Sequence, residues 1–230
     1  MVVNIMVPQT EEIHFFKVKD RLSALSHFIG FLCSIVATPL LLIKGAVDSR
    51  SLAELISYAV FALSMIVLYG ASSAYHSFDL GDKGKNRRLR KLDHMMIPVL
   101  IAGTYTPLCV TTLRENGGMI LLSVIWTLAF FSIIFKAYWI TCPKFVSSVI
   151  YIAMGWACIP YLSRLYLLLT SGGFRMLLLG GIAYTTGGII YAMKIPALER
   201  NREFRSHELF HLFILAGTLF HYLMIYLYVA

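Results

Sequence analysis

The stretch from Met119 to Trp139 reads MILLSVIWTLAFFSIIFKAYW, and between Glu115 and Lys136 no residue carries a charge. At about 1.5 Å per residue, a helix of this length crosses about 30 Å, the thickness of a bilayer's hydrocarbon core. Working outward, comparable apolar runs occupy residues 23–43, 53–77, 93–113, 146–167, 174–193 and 208–229. The pattern predicts an all-α integral membrane protein: a seven-transmembrane helix bundle forming one domain over residues 23–230, preceded by an N-terminal segment, residues 1–22. Gly117-Gly118 and Gly172-Gly173 predict tight connections. Pro143 and Pro196 fall just outside helix ends, where a missing N–H is tolerated. Pro39, Pro98, Pro107 and Pro160 lie within spans and are expected to kink them or to sit near their ends.

Composition agrees with this reading. Hydrophobic residues make up 58% of the chain and charged ones 14%, against about 45–50% and about a quarter in a soluble domain. A water-soluble globule, a disordered chain and a disulfide scaffold are thereby excluded. Cys33, Cys109, Cys142 and Cys158 are scattered and form no paired spacing, so no thiolate metal site is expected. Glu11, Glu12 and Asp20 precede the first long apolar run, which is unlike a cleavable signal peptide; the first span is expected to remain as an anchor.

The excess of basic over acidic residues (20 against 12) would suggest nucleic acid in a soluble protein. In a membrane protein it reports topology instead, because cytoplasmic loops retain Lys and Arg. With the N-terminus cytoplasmic, fifteen of the twenty basic residues fall on that side. The expected orientation is therefore N-terminus inside and C-terminus outside. Membrane lipids, not nucleic acid, are the expected partners. The run from Lys83 to Lys91 reads as a solvated loop near anionic headgroups.

Ionisable groups inside spans are costly unless paired or ligated, and here they gather at one level. His27 lies about one turn into span 1, His76 closes span 2, Asp93 opens span 3, and His207 and His211 open span 7. His207 and His211 are four residues apart and so project from one helix face. With His76 as third ligand they form a three-histidine Zn2+ site that leaves one coordination position open. Asp93 is placed to hold a metal-bound water or to act as a fourth ligand, and Ser72, one turn before His76, to donate a hydrogen bond. A histidine pair four apart also arises on ordinary interfacial helices, so the shared depth carries the argument. His94, adjacent to Asp93, points about 100° away and reads as structural. His221, about 15 Å deeper than His211, reads as a buried hydrogen-bonding residue. His14 carries no signal.

Three of these segments resemble motifs of the haemolysin III family, the bacterial branch of the progestin and adipoQ receptor superfamily. Ser72-Ser73-Ala74-Tyr75-His76-Ser77 carries Ser-x3-His. Lys91-Leu92-Asp93-His94 follows, then Ile101-Ala102-Gly103-Thr104-Tyr105-Thr106-Pro107. Ser206-His207-Glu208-Leu209-Phe210-His211 carries His-x3-His. Gly155-Trp156 and the run from Gly180 to Tyr191 are also similar, and the likeness extends from about residue 20 to the end. It implies a seven-helix bundle with a cytoplasmic N-terminus and zinc held near the inner face by His76, His207 and His211. Asp93 matches the carboxylate that contacts the metal-bound water, and Ser72 the motif serine. The first motif, Glu-x2-Asn-x3-His, is kept only in part: His27 stands, but Asp20 and Ser23 occupy the Glu and Asn positions.

Three functions are compatible with this reading. One is a zinc-dependent hydrolase of lipid amides or esters, as the related adipoQ-type receptors and alkaline ceramidases suggest, with Asp93 and Ser72 as catalytic residues. A second is a non-enzymatic protein of membrane homeostasis or sensing, in which zinc is structural. The third is the pore-forming, cytolytic activity carried by the family name.

Overall fold

The computed structural model describes residues 18–48, 51–193, 195–200 and 204–230. Most of the N-terminal segment 1–22, with His14, Glu11 and Glu12, lies outside them. The described residues form helices α1 (Arg21–Asp48), α2 (Leu52–Ser77), α3 (Lys83–Val110), α4 (Gly118–Tyr138), α5 (Lys144–Gly155), α6 (Leu162–Leu168), α7 (Ser171–Met193), α8 (Pro196–Glu199) and α9 (Ser206–Tyr228). A 3-10 turn (Ile159–Tyr161) joins α5 to α6.

Six of these helical segments are long and apolar enough to cross a membrane: α1, α2, α4, the combined α5–α6 segment, α7 and α9. α3 falls outside that set because its first turns carry Lys83, Lys85, Arg87, Arg88, Arg90 and Lys91 and its later turns hold Asp93, His94 and two prolines. The apolar windows of α1 and α4 are only 22% and 28% buried. Large side chains such as Val36, Ile43, Phe130 and Phe131 therefore face outward. Apolar exposure on this scale far exceeds what a soluble monomer tolerates. The chain is a multi-pass integral membrane protein.

α1, α2, α3, α5, α7 and α9 pack as successive neighbours, and α9 returns to α1, closing a ring; α4 lies outside, mainly against α3. Small residues permit this close approach, as in other membrane bundles. A Cβ on Gly103 of α3 would come within 2.3 Å of the Ser64 hydroxyl on α2, and one on Gly180 of α7 would overlap the His221 ring on α9. His221 spends its Nε2 on the Leu177 carbonyl, 3.2 Å away, as a buried hydrogen-bonding residue.

Two expectations change and one holds. The run from Lys83 to Lys91 is helical, not a loop: the Asp82 side chain accepts from the Lys85 N–H at 2.7 Å, and Lys and Arg are good helix formers once a cap is present. α3 thus begins ten residues before the apolar run. Gly172 and Gly173 lie in the first turn of α7, where the Tyr228 side chain packs over them. Gly117-Gly118 does make a tight connection, with Gly117 at φ 81° and Gly118 too close to the Cys109 carbonyl to accept a Cβ.

The fifth apolar run is interrupted between Gly155 and Pro160. Backbone groups freed inside a membrane protein need new partners, and Tyr105 of α3 supplies two. Its hydroxyl donates to the Gly155 carbonyl at 2.6 Å and accepts from the Cys158 N–H at 3.1 Å. Tyr105→Phe strands both groups and is expected to destabilise the bundle by about 1–3 kcal/mol. Thermal unfolding of the detergent-solubilised protein checks this: the midpoint should fall while metal content stays unchanged.

Candidate metal centre

The ring encloses a cavity of about 120 Å³. Its lining comes from α1, α2, α3, α5, α7 and α9, and includes His27, Ser72, Asp93, His94, His207 and His211. His76, His207 and His211 offer ligand atoms that all lie within 4.8 Å of one another. His76 and His207 face each other with Nε2 atoms 3.3 Å apart. The His207 and His211 ring centroids are 4.5 Å apart, and those of His76 and His211 5.0 Å.

The local structure explains how these side chains meet. His76 is the penultimate residue of α2, and the Asp20 backbone N–H donates to its carbonyl at 3.0 Å, tying the approach to α1 against the end of α2. α9 starts where carboxylates engage its free N–H groups. Glu208 accepts from the Arg205 N–H at 2.8 Å, and Glu199 from the Ser206 N–H at 3.3 Å. Carboxylates at a helix N-terminus are stabilising. They fix the first turn of α9, and with it the direction of His207 and His211. Ser23 of α1 joins the network by donating to Glu208 at 3.2 Å.

Around the cluster, Asp20 accepts a hydrogen bond from the Nδ1 of His76 at 2.9 Å. That bond holds the Asp20 carboxyl below the usual carboxylate range. Because the carboxylate can only accept, Nδ1 of His76 is the donor, and its Nε2 faces that of His207. A carboxylate behind a histidine is the usual support of a metal-ligating imidazole. The shorter Asp at the family's Glu position thus reaches the site, from a residue that is 41% exposed. Asp20→Asn is expected to weaken metal affinity about ten- to hundredfold, measured by competition with a chromophoric chelator.

His27 stacks on His211 with centroids 3.8 Å apart and planes 20° from parallel, and meets Tyr69 edge-on at 5.1 Å. It is buried, and neither of its nitrogens has a hydrogen-bond partner among the described residues. Asp93 is buried and lines the cavity; it is not one of the three residues of the ligand cluster. His94 also lines the cavity, with its Nδ1 4.0 Å from an Asp93 oxygen, so the structure turns it toward the site. Sequence reading missed Ser147 and Ser148 of α5, which line this cavity, and the buried Lys136 of α4, which donates to Ser147. Their only signal was a lysine inside an otherwise uncharged span.

The donor set suits zinc. Two nitrogens about 2.0–2.1 Å from a tetrahedral zinc stand about 3.3 Å apart, the separation of the His76 and His207 Nε2 atoms. The Nδ1 atoms of His207 and His211 are buried without a hydrogen-bond partner among the described residues. Imidazole nitrogens favour zinc, copper or nickel over hard cations such as magnesium or calcium.

Comparison with known proteins places this geometry in context. The family described as "Haemolysin-III related" matches residues 15–222. The chain is 37% identical over 205 residues to the Hemolysin-3 homolog of Bacillus subtilis (strain 168), covering 88% of this chain and 91% of that protein. It is 36% identical over 214 residues to Hemolysin-3 of Bacillus cereus, covering 92% and 93%. A more distant likeness, 23% identical over 216 residues, links it to an Adiponectin receptor protein of Drosophila melanogaster, covering 86% of this chain and 48% of that protein.

Proposed function

The chain belongs to the haemolysin-III related family, and we propose that it is a zinc-dependent membrane hydrolase of lipid amides or esters. The observation that carries this is the convergence of His76, His207 and His211, two of which line a largely apolar cavity whose wall also holds the buried carboxylate of Asp93. His76, His207 and His211 would hold the zinc, which would supply Lewis acidity toward a lipid carbonyl and make a water more acidic. Asp93, buried in the cavity wall, would take the proton of the attacking water and pass it to the leaving group. Ser72, buried and lining the cavity, donates a hydrogen bond to the carbonyl oxygen. The ring of helices excludes bulk water and holds the acyl chain.

The same reading places α3 as the seventh span, since it packs between α2 and α4 and supplies Asp93. It places the histidine end of the bundle at the cytoplasmic face of a bacterial inner membrane, on the side that carries fifteen of the twenty basic residues. The test is release of fatty acid by zinc-replete, purified protein from a panel of lipid amides and esters. No release from any member of the panel would overturn the hydrolase reading.

A second reading has its own support: the ligands come from α2 and α9, so zinc would tie together helices far apart in sequence. In that case the metal serves stability or sensing. His211→Ala would then lower the unfolding temperature, and Asp93→Asn would leave the membrane phenotype untouched.

A further inference from the structure

We propose that the cavity also carries a subsite for the anionic group of a single-chain amphiphile, a carboxylate or phosphate monoester, built from Lys136, Ser147 and Ser148. The inference deepens the lipid reading above by naming the headgroup class, but its polar contacts do not involve the histidines.

Lys136 lies in the last turn of α4, outside the ring, and is only 3% exposed. Its ammonium donates to the Ser147 hydroxyl and, at 3.1 Å, to the Cys142 sulfur. Both partners are neutral, and among the described residues no carboxylate lies within ion-pair distance of it. An ammonium has three donors, so one is left over. A buried cation held only by neutral groups is costly until an anion arrives.

The ammonium is tied to the cavity through Ser147. Ser147 and Ser148, in the second turn of α5, both line it. Ser147 accepts from Lys136, which leaves its own proton free to be donated to Cys142, 3.2 Å away, or to a ligand. Ser148 is 5% exposed, and its hydroxyl has no hydrogen-bond partner among the described residues. Ser147 thus links the buried cation to the cavity, and Ser148 adds an unpartnered hydroxyl from the same turn of α5 to its wall, where an acidic group would find donors.

The remaining walls set the orientation of the ligand. Ile97, Leu100, Ile101 and Trp156 line the same cavity and suit an acyl chain. Asp93 repels a second negative charge, which keeps the anionic group against α5.

The test uses full-length, detergent-purified protein carrying Trp126→Phe and Trp139→Phe, so that Trp156 in the cavity wall is the only fluorophore of its kind. The probes share one brominated acyl chain and carry a free carboxylate, a lysophosphatidate headgroup or a neutral monoacylglycerol headgroup. One or both acidic probes should quench Trp156 saturably, and which of them does so identifies the anion. Lys136→Met should weaken acidic binding roughly ten- to hundredfold and leave neutral binding unchanged; Lys136→Arg should largely restore it. Ser148→Ala, a small change that the fold should accept, should weaken it several-fold and covers the case in which Lys136→Met fails to fold. Binding should persist in His207→Ala/His211→Ala, which separates this subsite from the zinc reading. Failure of both acidic probes to quench, or equal affinity for acidic and neutral probes in wild type and variants alike, would overturn the proposal.

Discussion

Protein purified with His207→Ala and His211→Ala is expected to contain almost no zinc, while the wild type holds about one ion per chain. The two residues supply two of the three imidazoles in the cluster. His76 and its Asp20 partner cannot hold a divalent ion alone against the chelating power of buffers and cell thiols. Structural zinc contributes on the order of 10 kcal/mol of apparent binding free energy, so the loss should be nearly complete. It should be accompanied by a lower unfolding temperature, because the tie between α2 and α9 is removed. Elemental analysis of detergent-purified protein reads the effect directly. Equal zinc in both proteins would sink the metal centre, and with it the hydrolase.

Asp93→Asn should have the opposite signature, with zinc retained and turnover lost. Asp93 is buried against the cavity but stands apart from the ligand cluster, so its amide should leave the ion in place. What disappears is the proton acceptor. A positioned general base is worth about 10²- to 10⁴-fold, so hydrolysis should fall to that extent at unchanged metal content. A rate within a factor of two of wild type would remove Asp93 from the chemistry. Loss of zinc in this variant would instead make it a ligand. Read together, the two variants separate a catalytic metal from a structural one.

Much of the site is legible along the chain, because its members are out of place there. Histidines and an aspartate at the ends of apolar runs stand out, and the four-residue spacing of His207 and His211 puts them on one helical face. Asp20, His27 and Lys136 were not legible in the same way. Asp20 lies before the first helix and resembles any interfacial acid; its bond to His76 depends on how the chain enters α1. His27 could face lipid, loop or core from its position alone, yet it stacks on His211. Lys136 reads as an interfacial lysine able to extend its charge toward water, but the structure turns its ammonium inward onto Ser147.

By itself, then, the sequence determined the solvent, the helices and the level of the polar layer. Each of those follows from local quantities: the length of an apolar run, the period of a helix and the desolvation cost of a charge. The tertiary structure alone decided that α1, α2, α3, α5, α7 and α9 close a ring while α4 stands outside it, that α3 begins among its lysines and arginines, and that the fifth run breaks around Tyr105. Neighbour choice among helices in lipid rests on close packing and hydrogen bonds between distant residues, such as Gly103 on Ser64 and Gly180 on His221. No periodicity or composition within one segment encodes which partner another segment will present.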